Sequence, residues 1–435
     1  SVVISGTQVS VASGKTITTT TAGKNLTLKA SGGTISVGQI GTTSTKFNTV
    51  ELDTGSSALS FTSEDVHASS IKLTSTGNVS VTGIDYDGEL IFNTSAKVSL
   101  NGGTDGLKAS KLTYSTTPSS YEVSGDIEIT GTSGIVFDRA VVLKGDTLLK
   151  TSGTNAPVTI GNGISGSYAL EINNKGLLTI DDKTSLTDTG TADVSVSSFK
   201  QSGAGNVSIA GDITAASTID FSATAISLTG DVLLNGTTTK FSSAVTLGTS
   251  GSYEFTVNGT LNNAAAVTAN INVNAMGNVT SDGNWAGTKS LIFNGTGNQT
   301  FTVSSDSTYK DVKIEKSSGN LTTAGSGKAK FTSLGINSGA SSVVTFNNET
   351  DITNITLTKA NKTIFNKETT IHGASIDSTN SGDIEFNGGG KVLVSVIEAG
   401  GTVKVTGSSK LSFLTGLTAK SPFNVTGVLE TTDLE

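Results

Sequence analysis

Short apolar–polar–apolar triplets recur along the whole chain, and this feature constrains the fold more than any other. They include Leu26-Thr27-Leu28, Ile35-Ser36-Val37, Ile71-Lys72-Leu73, Val79-Ser80-Val81, Val98-Ser99-Leu100 and Ile127-Glu128-Ile129. Val207-Ser208-Ile209, Ile226-Ser227-Leu228, Val245-Thr246-Leu247, Ile384-Glu385-Phe386 and Val403-Lys404-Val405 continue the series. A period of two sends alternate side chains to one face, as in a strand with one side buried. Clusters such as Ser31-Gly32-Gly33, Asn101-Gly102-Gly103 and Asn387-Gly388-Gly389-Gly390 mark turns between them. No stretch holds a 3.6-residue apolar period long enough for a helix.

Hydrophobic residues make up only 34% of the chain, a level at which many chains stay disordered. Disordered chains are rich in proline and charge. Here there are 3 prolines, 15% charged residues and a wealth of Val, Ile and Thr, which favour a pleated, half-buried surface. A string of immunoglobulin-like sandwiches is the other all-β candidate. The triplets are shorter than the ~5–6 residues of ordinary strands, and the pattern drifts along the chain without linker breaks. With a single Trp at position 285, repeated sandwich cores are poorly supplied.

The reading that remains is all-β: a right-handed parallel β-helix in which each coil buries one narrow inward stripe against its neighbours. Phe199, Phe221 and Phe241 fall about one coil apart, as do Phe346, Phe365 and Phe386. A repeat near 20 residues predicts about 20 coils, and a single elongated rod of roughly 100 Å at ~4.8 Å per coil. Residues 1–435 are expected to form one continuous solenoid with no internal boundary. Phe221 and Phe365 are placed inside it, Lys72 and Glu385 outside. Leu434-Glu435 reads as a cloning scar, and the chain as an excised part of a longer surface protein.

Charge and cysteine content narrow the function. A net charge of −8 argues against nucleic acid, which demands clustered Lys and Arg. Arg139 is the single arginine, and there is no cysteine for a disulfide or thiolate metal site. No apolar run reaches the ~18 residues that span a membrane, and no signal peptide opens the chain.

The segment from Lys24 through Gly38, Lys-Asn-Leu-Thr-Leu-Lys-Ala-Ser-Gly-Gly-Thr-Ile-Ser-Val-Gly, resembles the filamentous-haemagglutinin type of β-helix. Ser290-Leu291-Ile292-Phe293-Asn294-Gly295-Thr296-Gly297-Asn298-Gln299-Thr300-Phe301 is similar to repeats in autotransporter and two-partner-secreted passengers. The resemblance covers the whole chain and is one of style. It implies a secreted or surface-tethered adhesin with a β-helical shaft. The secretion motifs and the membrane barrel of those families are not found in this sequence.

Candidate chemistry is thin. Glycoside hydrolysis needs two carboxyls about 5–9.5 Å apart; Asp181-Asp182 and the pair Asp85 and Asp87 are the best local clusters. His67, His372 and Arg139 lie far apart in sequence, and read against a lyase, a zinc site or a catalytic triad. Asn101-Gly102-Gly103-Thr104-Asp105-Gly106 and Asp85-Tyr86-Asp87-Gly88 resemble parts of calcium turns, but the tandem nonapeptide is missing, so both read as plain turns. No catalytic residue, metal or cofactor is expected. Asn-x-Ser/Thr sequons, candidate glycosylation sites in a secreted protein, occur at Asn25, Asn78, Asn93, Asn206, Asn235, Asn258 and Asn278. Others stand at Asn294, Asn298, Asn320, Asn348, Asn354, Asn361 and Asn424.

The expected function is therefore an extracellular adhesin or adhesin shaft, not an enzyme. Its partners would be a cell-surface receptor or glycan, or copies of itself. The alternatives are a self-assembling surface-layer or filament subunit and a β-helix enzyme that degrades polysaccharide.

Overall fold

The computed structural model describes residues 1–435 except 13, 33, 182–192, 250, 374, 379–380, 407–409, 415–417 and 433–435. Among the described residues there is no helix; the strands stack in parallel as a β-solenoid, and the coils number about 19. The all-β, parallel β-helix expectation holds. The chain divides into two units, Ser1–Ala223 and Thr224–Glu435, although composition marks no boundary there.

In the first unit one sheet is built from Val2–Gly6, Leu26–Ala30, Phe47–Asp53, Ala68–Thr74, Glu89–Asn93 and Lys111–Tyr114, in that order. Each strand pairs with the one a full coil later, so the rest of the coil serves as the crossover that parallel pairing requires. Register places Leu28 beside Leu52, Leu52 beside Leu73 and Leu73 beside Phe92. All four are fully buried. Burying such a side chain contributes about 1.5–3 kcal/mol, and each coil repeats the gain, so a modest apolar fraction suffices.

Many strands have the expected three residues, such as Val158–Ile160, but Val141–Thr151 has 11 and Thr350–Lys359 has 10. These stay extended through a corner of the coil. In Tyr121–Ile129 the corner is a bulge between Val123 and Gly125. Gly125 has φ +69°, and a Cβ there would lie 3.2 Å from Gly102 Cα on the coil before. Only glycine takes that conformation at that spacing without strain.

In the second unit Phe346 is in register with Phe365, and Phe365 with Phe386. Their rings stack at 4.9 and 5.3 Å with interplanar angles of 11° and 12°. In the first unit the Phe199 and Phe221 rings pack 5.5 Å apart. Phe221 and Phe365 are both buried, as expected.

Candidate functional site

The outward residue just before a strand recurs as Asn or Asp, and its side chain has a definite task. The Thr300 N–H donates to Asn278 Oδ1 at 2.8 Å, the Asn320 N–H to Asn298 Oδ1 at 2.9 Å, and the Val343 N–H to Asn320 Oδ1 at 2.9 Å. The Lys97 N–H reaches Asn78 Oδ1 at 3.3 Å. Asp231 makes the same contact with Glu254, and Asp146 makes it with Ala169 from within the strand Val141–Thr151. A carboxamide or carboxylate oxygen thus caps a backbone donor one coil ahead that the ladder would leave free. Asn320→Ala should therefore destabilise the second unit by about 1 kcal/mol while Asn320→Asp stays near wild type. Urea unfolding of both variants checks this; equal losses would refute the cap.

This geometry sorts the sequons. Where the middle residue points inward, as Val79, Val279, Gln299 and Leu321 do, the Asn and the Ser/Thr share the outer face. Asn25, Asn78, Asn206, Asn258, Asn278, Asn298, Asn320, Asn354, Asn361 and Asn424 are exposed, and Asn93, Asn235 and Asn294 are half-buried. Asn348 differs. It is buried, and its Nδ2 donates to Gly325 O and Gly327 O, each at 2.9 Å. As a candidate acceptor of sugar, Asn348 is corrected: strand alternation turns its side chain into the coil. The Asn361 sequon has its hydroxyl residue, Thr363, buried as well.

Carboxylates on the outer faces pair with lysines on neighbouring coils. Glu122 faces Lys97 at 2.9 Å and Lys144 at 3.2 Å, and Lys111 faces Glu89 at 2.9 Å. Lys97, then the other lysine and Ser99, hold Glu122 below the usual carboxylate range. Thr113 and Lys111 do the same for Glu89, and Lys404 for Asp383. Glu385, expected to be freely outward, is more enclosed. It accepts from Lys362 at 3.1 Å and Lys404 at 3.3 Å, with its side chain 15% exposed.

The candidate acids do not converge. Tyr86 between them is buried, and burial raises its phenol above the ordinary value. Asp85 pairs with Lys108 at 3.3 Å, whereas Asp87 pairs with Lys46, 41 residues earlier. Asp181 is half-buried, with its N–H bonded to Ile160 O at 3.0 Å; Asp182 lies outside the described residues. In the calcium-like stretch Asn101 Oδ1 accepts the Gly103 N–H at 2.9 Å, an Asx turn, and Asp105 accepts from Thr104. His67 meets Asp65 at 2.9 Å and His372 meets Asp351 at 3.3 Å. Among the described residues no three His, Asp or Glu side chains gather to hold a metal ion. Arg139 is exposed, its Nη1 donating to Asp138 O.

Two features escaped sequence reasoning. Lys316 is buried, and its ammonium donates to Gly295 O at 2.6 Å, Gly297 O at 2.8 Å and Gln299 Oε1 at 2.7 Å. Burial lowers its pKa to about 8. The signal was there: alternation through the inward Val312 and Ile314 continues onto Lys316. The second is an open groove of about 460 Å³ in the first unit, lined among others by Ser36, Thr62, Thr82, Asp85, Thr104 and Asp105. Its hydroxyls come from successive coils, because Ser36 is in register with Thr62 and Thr62 with Thr82.

Taken together, the fold and the outer ladders define a parallel β-solenoid repeat protein. No family model, curated protein or solved structure matches the chain. No helix among the described residues is long and apolar enough to cross a membrane.

Proposed function

We propose that the protein is a cell-surface or secreted adhesin shaft, non-catalytic, which holds a glycan or protein partner against its outer faces. One observation carries this reading. The candidate acids Asp85 and Asp87 are each claimed by a lysine of a different coil, Lys108 and Lys46, and are not gathered as the facing carboxyl pair that glycoside hydrolysis needs. The outer faces are instead regular ladders of hydroxyl, amide and paired charge at coil spacing. A hydroxyl-lined groove supports contact with a polar polymer such as a glycan.

The test substitutes Asp85, Asp87, Asp181 and Asp182 together by Asn. Attachment of protein-coated beads to microbial and animal cells should stay within about twofold of wild type, since a carboxamide at position 85 keeps a hydrogen-bonding oxygen on the groove wall and exposed ion pairs contribute little. A reducing-end and unsaturated-product assay on diverse polysaccharides should show no turnover by either protein. Turnover abolished by the substitutions would replace the adhesin with the polysaccharide-degrading enzyme. Attachment to no surface, with ordered fibres or lattices instead, would replace it with the self-assembling subunit.

A further inference from the structure

The capping contact needs only an oxygen, and Asp146 or Asp231 supplies it as well as any Asn. At Asn78, Asn278, Asn298 and Asn320 the side chain carries in addition an amide nitrogen that the capping contact does not use. In each, Oδ1 is fixed on the backbone of the next coil, which pins the carboxamide plane, and among the described residues Nδ2 has no hydrogen-bond partner. All four residues are exposed. In each, the residue two positions on, Ser80, Thr280, Thr300 or Thr322, shares the outer face because the residue between them is buried. An acceptor nitrogen and its companion hydroxyl are thus presented together on a rigid strand.

We propose that Asn78, Asn278, Asn298 and Asn320 are sites of N-linked glycosylation, with Asn298 and Asn320 never both occupied in one molecule. The inference rests on the extracellular reading above, since it requires passage through a compartment with the transferase. The donor is a glycosyl diphosphate, carried on a polyprenol or a nucleoside. A bond forms from Nδ2 to the anomeric carbon, and the bond from that carbon to the diphosphate oxygen breaks. The diphosphate leaves with the electron pair, and one amide proton passes to a base of the transferase. Oδ1 keeps its hydrogen bond throughout, so the modified side chain still caps the next coil. The mutual exclusion is steric. Asn298 and Asn320 are stacked on adjacent coils, whose backbones lie ~4.8 Å apart, no wider than one sugar ring. Asn348 is the internal control: both protons of its Nδ2 are bonded inside the coil.

The test is glycopeptide mass spectrometry of the protein isolated whole from its source organism, alongside protease shaving of intact cells. Sugar mass is expected on Asn78 and Asn278 and on at most one of Asn298 and Asn320, with none on Asn348. A single-sugar increment would identify a nucleotide donor, an oligosaccharide a lipid-linked one. Asn278→Asp should lose the increment at that position with an unchanged melting temperature, because the capping oxygen remains. Four unmodified asparagines, double occupancy of the stacked pair, or sugar on Asn348 would each overturn the inference. Shaving separates the two readings: protein that is released by protease yet unmodified refutes glycosylation alone, and protein that is neither refutes both.

Discussion

Phe365→Ala should destabilise the unit Thr224–Glu435 by about 3–5 kcal/mol, the range for removing a fully buried Phe. The ring is 1% exposed and lies between two parallel partners, Phe346 at 4.9 Å and Phe386 at 5.3 Å. Truncation forfeits the buried area of the ring and two stacked contacts, each worth about 0.5–1.5 kcal/mol beyond area. The coil cannot collapse to fill the gap. Its backbone is held by hydrogen bonds to coils on both sides, from Lys362–Phe365 to Val343–Phe346 and to Asp383–Phe386, so a cavity remains. Urea unfolding followed by the fluorescence of Trp285, buried in this unit and donating its indole N–H to Asn263 Oδ1 at 3.1 Å, reads the change directly. Lys72→Ala, on an outer face of the other unit and paired with Glu51 at 3.2 Å, should shift stability by less than about 1 kcal/mol. An unchanged midpoint for Phe365→Ala would mean that the aromatic stack does not exist.

Lys316 gives the second large effect, and it depends on pH. Its pKa in the fold is lowered to about 8 by burial, against about 10.4 in an unfolded chain. A cationic group whose native pKa is depressed opposes folding most below the native value. Between pH 8 and about 10.4 the unfolded chain binds more protons than the fold, so stability rises with pH across that window. Each unit of pKa is 1.36 kcal/mol, so the gain from pH 7 to 10 is on the order of 2–3 kcal/mol. Three oxygens around Nζ favour the ammonium and make this an upper figure. Buried Tyr309 works in the opposite sense near pH 10, since burial raises its phenol, and the comparison must cancel it. Lys316→Met does so, keeping length and apolarity while losing the titration. The stability of wild type relative to Lys316→Met should climb from pH 8 to 10. Parallel pH profiles for the two proteins would show that the amine is not held in a dry site.

Lys316 and Asn348 also show how far the sequence could be read. Both continue an inward alternation, Val312-Ile314-Lys316 and Val344-Phe346-Asn348, so their direction was legible from the period alone. Residue type argued the other way, because a lysine or a sequon asparagine is ordinarily exposed. What reverses that preference is a set of carbonyls at the coil corner, Gly295 and Gly297 for Lys316, Gly325 and Gly327 for Asn348. Those oxygens belong to the preceding coil, and no local pattern announces them. The candidate acids fail for a related reason. Asp85 and Asp87 face the same way along the chain, yet the lysines that claim them come from different coils.

The period of two determined the all-β class and the inward stripe, because alternation is a property of adjacent residues. The shortness of the triplets, with their unbroken drift along the chain, added the parallel stack. Which coils' residues meet was decided only by the tertiary structure. Val2 is in register with Leu26, 24 residues on, while Ile71 is in register with Leu90, only 19 on. The difference lies in how much chain each corner consumes, and strand patterning does not encode that. Hence a 20-residue ruler found Phe346, Phe365 and Phe386 but missed that their file continues through Phe331, Tyr309, Phe301 and Phe293. Phe293, Phe301 and Tyr309 stand only eight residues apart, on successive strands of the coil, and their rings pack against one another across the interior at 5.1 and 5.0 Å.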